Sequence, residues 1–287
     1  MRTLIAVFFC LMWYNPNLLY SQIPNNTLQI TYVANAGFLV ASSTHKVLID
    51  ALIKGTYAPP KEITNDIMDS KPPFDSVGLY FITHYHEDHC DPVLVNEYLA
   101  KHRNVSLVTS RPTVLFINGN CYEFILLKNQ FNELTPEGNQ CVAKTIEGIP
   151  VKAFGLEHAP YYRNGIEMNQ NMLNVSFLFE MDGIRVFHSG DIQTNAFRDY
   201  AAKNNKWTDT VDVALLCYGL FESGMPDLDY VVSTLHPKCI VVMHVPPDSN
   251  EACATRIEQF KTRFPNIILL KNSMDSQSID ISGMKNE

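Results

Sequence analysis

The first part of the chain alternates apolar runs with turn-forming residues. The segment LQITYVANAGFLVASSTHKVLID has the pattern of two or three strands, interrupted at Asn35–Gly37 and at Ser42–Thr44. Residues 51–75 are rich in Pro, Lys and Asp and are predicted to form a loop with a short helix. This pattern indicates a hairpin or meander that leads into a loop.

The middle of the chain continues as strands, with one predicted helix. The run VGLYFITH is predicted to be a strand that ends at His84, and Asp91-Pro92 supplies an N-cap and a first-turn proline for a helix to about Lys101. Further strands are predicted at SLVTS, EFILL and VKAFGLEH. NVSFLFEMDGIRVFHSGD indicates a hairpin, because Asp182-Gly183 is a two-residue turn between alternating apolar runs.

The last third of the chain alternates strands with helices. Helices are predicted near Ala196–Asn204, Asp227–Leu235 and Glu251–Arg263, and strands at VALLCY, CIVVMH and NIILL. No internal repeat, linker or low-complexity tract divides the sequence. We therefore expect mixed sheets covered by helices, in one domain over residues 22–287.

The first 21 residues have the layout of a secretory signal peptide. Arg2 precedes an apolar run from Leu4 to Trp13, and turn formers and the small Ser21 follow. This run is too short to span a bilayer, which needs about 20 apolar residues. We therefore predict that residues 1–21 are removed and that the mature protein is secreted or periplasmic.

The composition is that of a globular protein, and its charge limits the expected partners. Hydrophobic residues make up 46% of the chain, charged residues make up 18%, and the formal charge is −8. Loss of Arg2 with the signal peptide would change this charge to −9. An acidic balance disfavours capture of nucleic acid or of an anionic membrane. With an apolar run too short to span a bilayer, we expect no stable membrane insertion, and we expect a small-molecule substrate.

Six cysteines remain after the predicted signal peptide, and they include no CxxC pair. An even number in an exported chain permits disulfides. Cys217 and Cys239 lie in apolar runs and are expected to be buried thiols. Cys121 with Cys141 is the pair that we would test first for a disulfide.

Five apolar runs each end in an acidic or metal-binding residue. In open sheets covered by helices, ligands bind beyond the strand ends, so residues far apart in sequence can meet at one edge. The recurrence of His and Asp at such ends predicts a metal site. The five residues are Asp50, His84, His158, Asp191 and His244.

The segment from His84 to His89, HYHEDH, has the highest density of possible metal ligands. Alternate side chains of an extended segment point the same way, so His84 and His86 can bind one ion. A turn before Asp91 can bring Asp88 and His89 to a second ion. Imidazole and carboxylate groups suit Zn²⁺, and also Mn²⁺ or Fe.

This segment resembles the HxHxDH signature of the metallo-β-lactamase-fold hydrolase superfamily, and the remaining ligand positions are matched by His158, Asp191 and His244. The resemblance implies a four-layer αββα sandwich of two mixed β-sheets flanked by helices. It also implies two divalent ions, with zinc expected. The first is then held by His84, His86 and His158, the second by Asp88, His89 and His244, and Asp191 bridges them.

The resemblance further implies hydrolysis of a small ester, lactone or phosphodiester by a metal-bridging hydroxide, with Asp88 orienting the nucleophile or accepting its proton. Asp50 matches an acidic residue that usually supports a metal-bound histidine, although an Asp there is also a common turn cap. Asn35 and Gly37 match a loop beside the site, and any tight turn also favours these residues. The strings YVANAGFLV, VLIDAL and HPKCIVVMHVPP are most similar to the branch that includes L-ascorbate-6-phosphate lactonase.

The same set of metal ligands is compatible with two other functions. One is an iron-dependent redox enzyme similar to persulfide dioxygenases, and the other is a metal-stabilised binding protein without catalysis. Metal content separates the first from a zinc hydrolase, and a gap among the ligands would favour the second. His188 is expected to be packed rather than ligating. Asp191 stands where one class of true β-lactamases has cysteine, which disfavours antibiotic hydrolysis.

Overall fold

The computed structural model describes residues 23–121, 124–138, 140–169, 172–204, 207–222, 225–246 and 250–284. The predicted signal peptide lies outside these residues. Within them, no helix has both the length and the apolar character that crossing a membrane requires.

The strands of the described residues are short, and most are buried. In chain order they are β1 (Thr27–Ala34), β2 (Gly37–Ala41), β3 (Lys46–Ile49), β4 (Leu79–Phe81), β5 (Ser106–Thr109), β6 (Phe131–Glu133), β7 (Cys141–Ile146), β8 (Ile149–Glu157), β9 (Tyr162–Arg163), β10 (Ile166–Glu167), β11 (Leu173–Met181), β12 (Ile184–His188), β13 (Val213–Cys217), β14 (Cys239–Met243), β15 (Ile267–Leu269) and β16 (Ser276–Asp280).

The helices follow the strands in both halves of the chain. They are α1 (Lys61–Met68), α2 (Pro92–Lys101), α3 (Arg111–Gly119), α4 (Phe124–Leu127), α5 (Thr194–Lys203), α6 (Gly219–Glu222), α7 (Met225–Leu235) and α8 (Asn250–Phe260), with one 3₁₀ turn at Lys128–Gln130.

The strands form two seven-stranded mixed sheets and a small hairpin, β9–β10. The first sheet has the order β16-β1-β2-β3-β4-β5-β6, and β3 to β6 are parallel to one another. The second has the order β15-β14-β13-β12-β11-β8-β7, and β12 to β15 are parallel. Each sheet therefore combines a parallel half with an antiparallel half.

Alternation along β4 shows how the layers are built. Phe81 faces the second sheet, where its ring lies 4.8 Å from Phe177 and 5.1 Å from Phe179. The neighbouring Tyr80 points to the opposite face and contacts Tyr98 of α2, with ring centres 6.1 Å apart. Successive strand side chains point to opposite faces, so β4 contributes both to the core between the sheets and to the core under α2.

Helices α5 and α7 cover the outer face of the second sheet. Phe197 of α5 lies 5.5 Å from Trp207, whose ring also lies 4.5 Å from Phe154 of β8. Leu228 and Val231 of α7 belong to the same buried cluster. The predicted αββα arrangement of two mixed sheets flanked by helices is therefore confirmed.

Two local predictions are correct in atomic detail. Asp91 caps α2, because its Oδ1 accepts a hydrogen bond of 2.8 Å from the backbone N–H of Leu94. Asp182 and Gly183 both have positive φ, 50° and 82°, as a two-residue hairpin turn between β11 and β12 requires.

The prediction of a strand at EFILL is wrong, since residues Phe124–Leu127 form helix α4. Leu127 is buried, whereas Ile125 and Leu126 are 65% and 63% exposed, so the apolar residues do not alternate between two faces. The place beside β5 is taken by Phe131–Glu133 instead. A short apolar run fits a strand or a helix equally well, and only the tertiary contacts decide.

One further expectation needs correction, and one question that the sequence leaves open concerns the cysteines. The strand predicted to end at His84 ends at Phe81, and His84 lies three residues beyond it in a loop. Cys121 and Cys141 are free thiols in the structure, as are the other four cysteines of the described residues.

Backbone hydrogen bonds join the two sheets at one edge of the sandwich. The N–H of Val175 donates to the carbonyl of Thr83 over 3.0 Å, and the N–H of His244 donates to the carbonyl of Asn35 over 3.0 Å. These bonds bring the carboxyl ends of the parallel strands of both sheets together. The predicted site residues lie at this edge.

Candidate metal centre

Each predicted site residue lies after the end of a strand. Asp50, His158 and His244 directly follow β3, β8 and β14, and Asp191 comes three residues after β12. The HYHEDH segment forms the loop after β4. Because parallel strands of both sheets end at this edge, residues from five separate segments meet there.

His84, His86 and His158 form a first group of possible metal ligands. His84 Nε2 lies 3.0 Å from His86 Nδ1 and 3.2 Å from His158 Nε2. The rings of His84 and His86 are nearly perpendicular, at 80°. Three ring nitrogens therefore converge on one point.

Asp88, His89, Asp191 and His244 form a second group. His244 Nε2 lies 3.1 Å from Asp88 Oδ2 and 3.1 Å from Asp191 Oδ2. His89 Nε2 lies 3.3 Å from Asp191 Oδ2. This group pairs two imidazoles with two carboxylates.

One oxygen of Asp191 lies between the groups. In addition to its contacts with His89 and His244, Asp191 Oδ2 is 3.5 Å from His158 Nε2 of the first group. A single carboxylate oxygen is thus within reach of ligands from both groups, as a bridging position requires.

The two groups fit metal ions in both spacing and hydrogen bonding. Nitrogen atoms about 2.0–2.1 Å from a tetrahedral zinc are about 3.4 Å apart, which is close to the separations seen here. His89 Nε2 and Asp191 Oδ1 are buried and have no hydrogen-bond partner among the described residues. Buried polar atoms are normally paired, and a cation between the groups would pair these two.

A protein-family model described as a beta-lactamase superfamily domain matches residues 29–244, a region that contains all seven predicted ligands. The chain belongs to this superfamily. A search of curated proteins found no match.

Solved structures of the metallo-β-lactamase fold are similar to this protein over most of its length. They include the metallo hydrolase Igni18 of Ignicoccus hospitalis KIN4/I, with a TM-score of 0.57, 17% identity, and coverage of 88% of this chain and 98% of that one. A possible metal-dependent hydrolase of Veillonella parvula DSM 2008 has a TM-score of 0.58, 17% identity and the same coverage. CmlA, a diiron β-hydroxylase of Streptomyces venezuelae, has a TM-score of 0.54 at 12% identity, covering 90% of this chain and 54% of its own. At these identities the likeness concerns the fold.

The predicted membership of the metallo-β-lactamase superfamily is confirmed, and the lactonase-like branch stays a prediction. The structure brings all seven predicted ligands together in the two groups. Metal binding by them stays a prediction at this point. His188 lies outside both groups, because its Nε2 is 3.0 Å from the carbonyl of Ala36 in a buried contact.

Asp50 contacts His89 of the second group. Its Oδ2 is 2.8 Å from His89 Nδ1, and it also accepts a 2.7 Å hydrogen bond from Thr83 Oγ1. Its Oδ1 accepts a bond of 2.9 Å from the N–H of Thr83. A proton on His89 Nδ1 is thereby held by Asp50, which leaves the lone pair of His89 Nε2 directed at the second group.

The first group has a comparable support at His158. His158 Nδ1 is 2.6 Å from the carbonyl of Ala159, and Asn169 Nδ2 donates a 2.9 Å hydrogen bond to the same carbonyl. A proton on Nδ1 donated to that carbonyl fixes the ring and leaves Nε2 as an acceptor. Asn169 is buried, and the sequence pattern gave no signal for it because Asn is also frequent in loops.

Two other asparagines bond the acidic residues of the second group, one at a carboxylate and one at the backbone. Asn35 Nδ2 donates to the carbonyl of Asp88 at 2.9 Å and to its Oδ2 at 3.2 Å. Asn174 Oδ1 accepts a bond of 3.0 Å from the N–H of Asp191. The NAGF loop had pointed to Asn35, whereas Asn174 looked like an ordinary strand residue.

The backbone at this edge adopts uncommon conformations. Asn35, Asp50 and His244 have φ values of 52°, 40° and 57°. Non-glycine residues rarely adopt positive φ, and such residues are often found at functional sites. Gly37 is required for a different reason: a Cβ there would lie 2.8 Å from the carbonyl oxygens of Ala34 and Asp50.

Two of the three histidines of the first group, His84 and His86, are neutral without a metal ion. Burial lowers the pKa of His84 well below its usual value. Burial and the neighbouring His158 lower the pKa of His86 to about 4. Both rings therefore offer free lone pairs at pH 7.

The second group holds protons that a cation would replace. Burial alone would raise the pKa of Asp88, but the hydrogen bond from His244 and the charge of His89 lower it to about 2. Burial alone would lower the pKa of His244, but Asp191 and the bonds to Asp191 and Asp88 raise it to about 10. Two carboxylates thus stabilise positive charge at this position.

A cavity of about 540 Å³ opens beside the second group. Its lining includes Asp191 and His244 of the second group together with Tyr161, Thr194 and Tyr218. Tyr161 and Tyr218 add aromatic rings with hydroxyl groups to this lining. Pockets of this size accommodate small organic molecules.

Proposed function

We propose that this protein is an exported, metal-dependent hydrolase with two divalent ions, zinc in the first instance, that acts on a small ester, lactone or phosphodiester. The observation that carries the proposal is the position of Asp191 Oδ2, 3.1–3.5 Å from imidazole nitrogens of both ligand groups. A carboxylate shared between two such groups is the arrangement that a two-metal hydrolase needs.

The ligand assignment follows from the two groups. His84, His86 and His158 would hold one ion, Asp88, His89 and His244 the other, and Asp191 both. Bound divalent ions supply Lewis acidity, which polarises a substrate oxygen and lowers the pKa of water. The rest of the chemistry depends on how the chain positions its own groups.

Asp88 is the proposed general base. Its low pKa keeps the carboxylate ionised at pH 7, and its Oδ2 is fixed by Asn35 and His244 at the edge of the second group. An ionised carboxylate in this position can accept a hydrogen bond from an attacking water and orient it. The adjoining cavity would hold the substrate against this face.

The predicted signal peptide supports the export part of the proposal. N-terminal sequencing of the protein purified from its natural host tests it. A mature terminus close to residue 22 is expected, and an intact terminus at Met1 would contradict it.

The hydrolase proposal is tested by a substrate screen on the purified mature protein. Esters, lactones and phosphodiesters are offered before and after treatment with a chelator, and His86→Ala is compared with His45→Ala. His45 belongs to neither ligand group and lies beside Asp182 at a turn, so its loss is expected to leave activity unchanged. Activity that the chelator and His86→Ala both remove would support the proposal.

Two outcomes would favour the other functions. Bound iron with no hydrolysis of any substrate would favour a redox enzyme. Bound metal with neither hydrolysis nor redox activity would favour a metal-stabilised binding protein.

A further inference from the structure

The cavity beside the metal-binding groups has a wall that those groups do not use. Beyond Asp191 and His244, this wall includes the first residues of α5, the segment from Cys217 to Leu220, and Tyr161. The non-reacting part of a substrate held at the metal centre would lie against it. Its polar groups therefore decide what that part of the substrate can be.

Thr194 lines this cavity and has an unused hydroxyl. The residue is only 6% exposed, and its Oγ1 has no hydrogen-bond partner among the described residues. A buried hydroxyl without a partner is uncommon because it loses its bonds to water. A ligand oxygen or nitrogen in the cavity would supply the missing bond.

The position of Thr194 favours an oxygen acceptor. It is the first residue of α5, and the preceding Gln193 makes no side-chain capping bond to the helix. The first N–H groups of a helix have no partner within the helix and carry partial positive charge. The hydroxyl and this helix end are thus both suited to an oxygen with lone pairs.

The formal charges of the wall oppose an anion. Glu222 and Asp227 line the cavity, and no Lys or Arg is among the described residues that line it. The undescribed stretches 170–171, 223–224 and 247–249 also contain no Lys or Arg in their sequence. Phosphate and carboxylate groups are usually bound by such side chains.

Two guanidinium groups that contact this part of the chain are already engaged. Arg198 donates to Asp227 Oδ1 over 3.0 Å, and its guanidinium lies 4.8 Å from the centre of the Tyr230 ring. Arg256 donates to the backbone carbonyls of Phe221 and Glu222, at 3.4 and 3.3 Å. A phosphate or carboxylate remote from the reacting bond would meet Glu222, with no Lys or Arg among the described lining residues to compensate its charge.

We propose that Thr194 binds an uncharged oxygen in the part of the substrate beyond the reacting bond, and that this part carries no negative charge. The inference rests on the proposed hydrolase function. It narrows the substrates to those whose part beyond the reacting bond is neutral or cationic. Among lactones, those that carry a phosphate are excluded.

A pair of probes of nearly equal size tests the binding part. Pyroglutamide and pyroglutamate share a five-membered lactam ring and differ in a neutral amide against a carboxylate. Their affinities for the purified, metal-loaded protein are measured by ligand-observed NMR. We expect tighter binding of the amide, and Glu222→Gln should reduce the preference. Equal binding, or a preference for the carboxylate, would overturn the proposal.

The Thr194 variants separate binding from folding. Thr194→Val should weaken pyroglutamide binding by about 3- to 10-fold, the usual effect of one hydrogen bond, whereas Thr194→Ser should stay within about twofold of the wild type. Melting temperature and metal content are measured for both variants. Unchanged amide binding in Thr194→Val would overturn the role of Thr194, and so would equal loss of binding in both variants.

The corresponding lactones connect this test to catalysis. Hydrolysis of the lactone carboxamide should exceed that of the lactone carboxylate, and Thr194→Val should raise KM more than it lowers kcat. If neither lactone nor any other substrate is hydrolysed but the amide preference persists, the hydrolase proposal fails and the binding inference stands. If hydrolysis depends neither on the charge of the substrate nor on Thr194, the hydrolase proposal stands and the binding inference fails.

Discussion

Asp50 Oδ2 and His89 Nδ1 lie 2.8 Å apart, and neither side chain is exposed to solvent. The carboxylate thereby fixes both the tautomer and the orientation of the ring. This contact joins the end of β3 to the loop after β4. The orientation of His89 within the second ligand group depends on this contact.

Replacing Asp50 tests this contact. Asp50→Asn keeps the size of the side chain and removes its charge, so we expect a 10- to 100-fold loss of metal affinity, the usual effect of removing such a partner. Competition with a chromogenic chelator measures the change. Asp75→Asn is the control, because Asp75 pairs with Lys46 at 2.8 Å and lies outside both ligand groups. Unchanged affinity in Asp50→Asn would show that the contact has no part in metal binding.

The pKa values of the metal-free protein predict how protons move on metal binding. At pH 7 His86, with a pKa of about 4, is already neutral, so the first group should bind an ion without releasing a proton from this residue. His244, with a pKa of about 10, is protonated, and the second group should release at least one proton. The affinity of the second group should therefore rise at least tenfold per pH unit near pH 7, whereas His84 and His86 add no such dependence to the affinity of the first group.

Calorimetry measures this difference. Titration of the metal-free protein in two buffers of different ionisation enthalpy gives the number of protons released at each step. Two steps with the same proton release would contradict the assignment of charge to the two groups.

Asp88→Asn tests the proposed base. Loss of a general base typically lowers kcat by about 10²- to 10⁴-fold. The neighbouring Glu87 is exposed and belongs to neither group, which makes Glu87→Gln the matched control. Metal content is measured with kcat, since Asp88 is also a proposed ligand. Full activity in a metal-loaded Asp88→Asn protein would exclude this residue as the base.

Phe81→Ala tests whether the two sheets share one core. Phe81 is completely buried and contacts Phe177 and Phe179 of the facing sheet. Truncation of such a side chain costs about 3–5 kcal/mol of unfolding free energy. Chemical denaturation measures it, with the exposed Tyr162→Ala as a control that is expected to change stability by less than about 0.5 kcal/mol. A similarly small effect of Phe81→Ala would mean that the sheets do not depend on this contact.

The sequence predicted those parts of the fold whose local signals agree with the tertiary structure. The Asp182-Gly183 turn and the Asp91 cap are specified by a few adjacent residues, and both are present. The convergence of the seven predicted ligands was predictable because His and Asp recur at strand ends and HYHEDH is a dense, ordered motif. The structure of the EFILL segment was not predictable, because its helical state depends on which strand occupies the edge beside β5.

The supporting polar residues were the least predictable part of the site. Asn169, Asn174 and Thr194 have no distinguishing pattern in the sequence, and their importance follows from contacts made over long chain separations or from a missing partner. Asn35 was indicated by its loop. The reason for Gly37 required coordinates, since it is a close approach of backbone atoms rather than a positive φ.

The most direct test of the account is the number of metal ions bound per chain, measured by native mass spectrometry on the purified protein and on Asp191→Ala. The account predicts two divalent ions in the wild type and a loss of both, or a large fall in affinity for both, when the shared carboxylate is removed. A wild-type protein that binds at most one ion, or an Asp191→Ala protein that retains two with unchanged affinity, would contradict it.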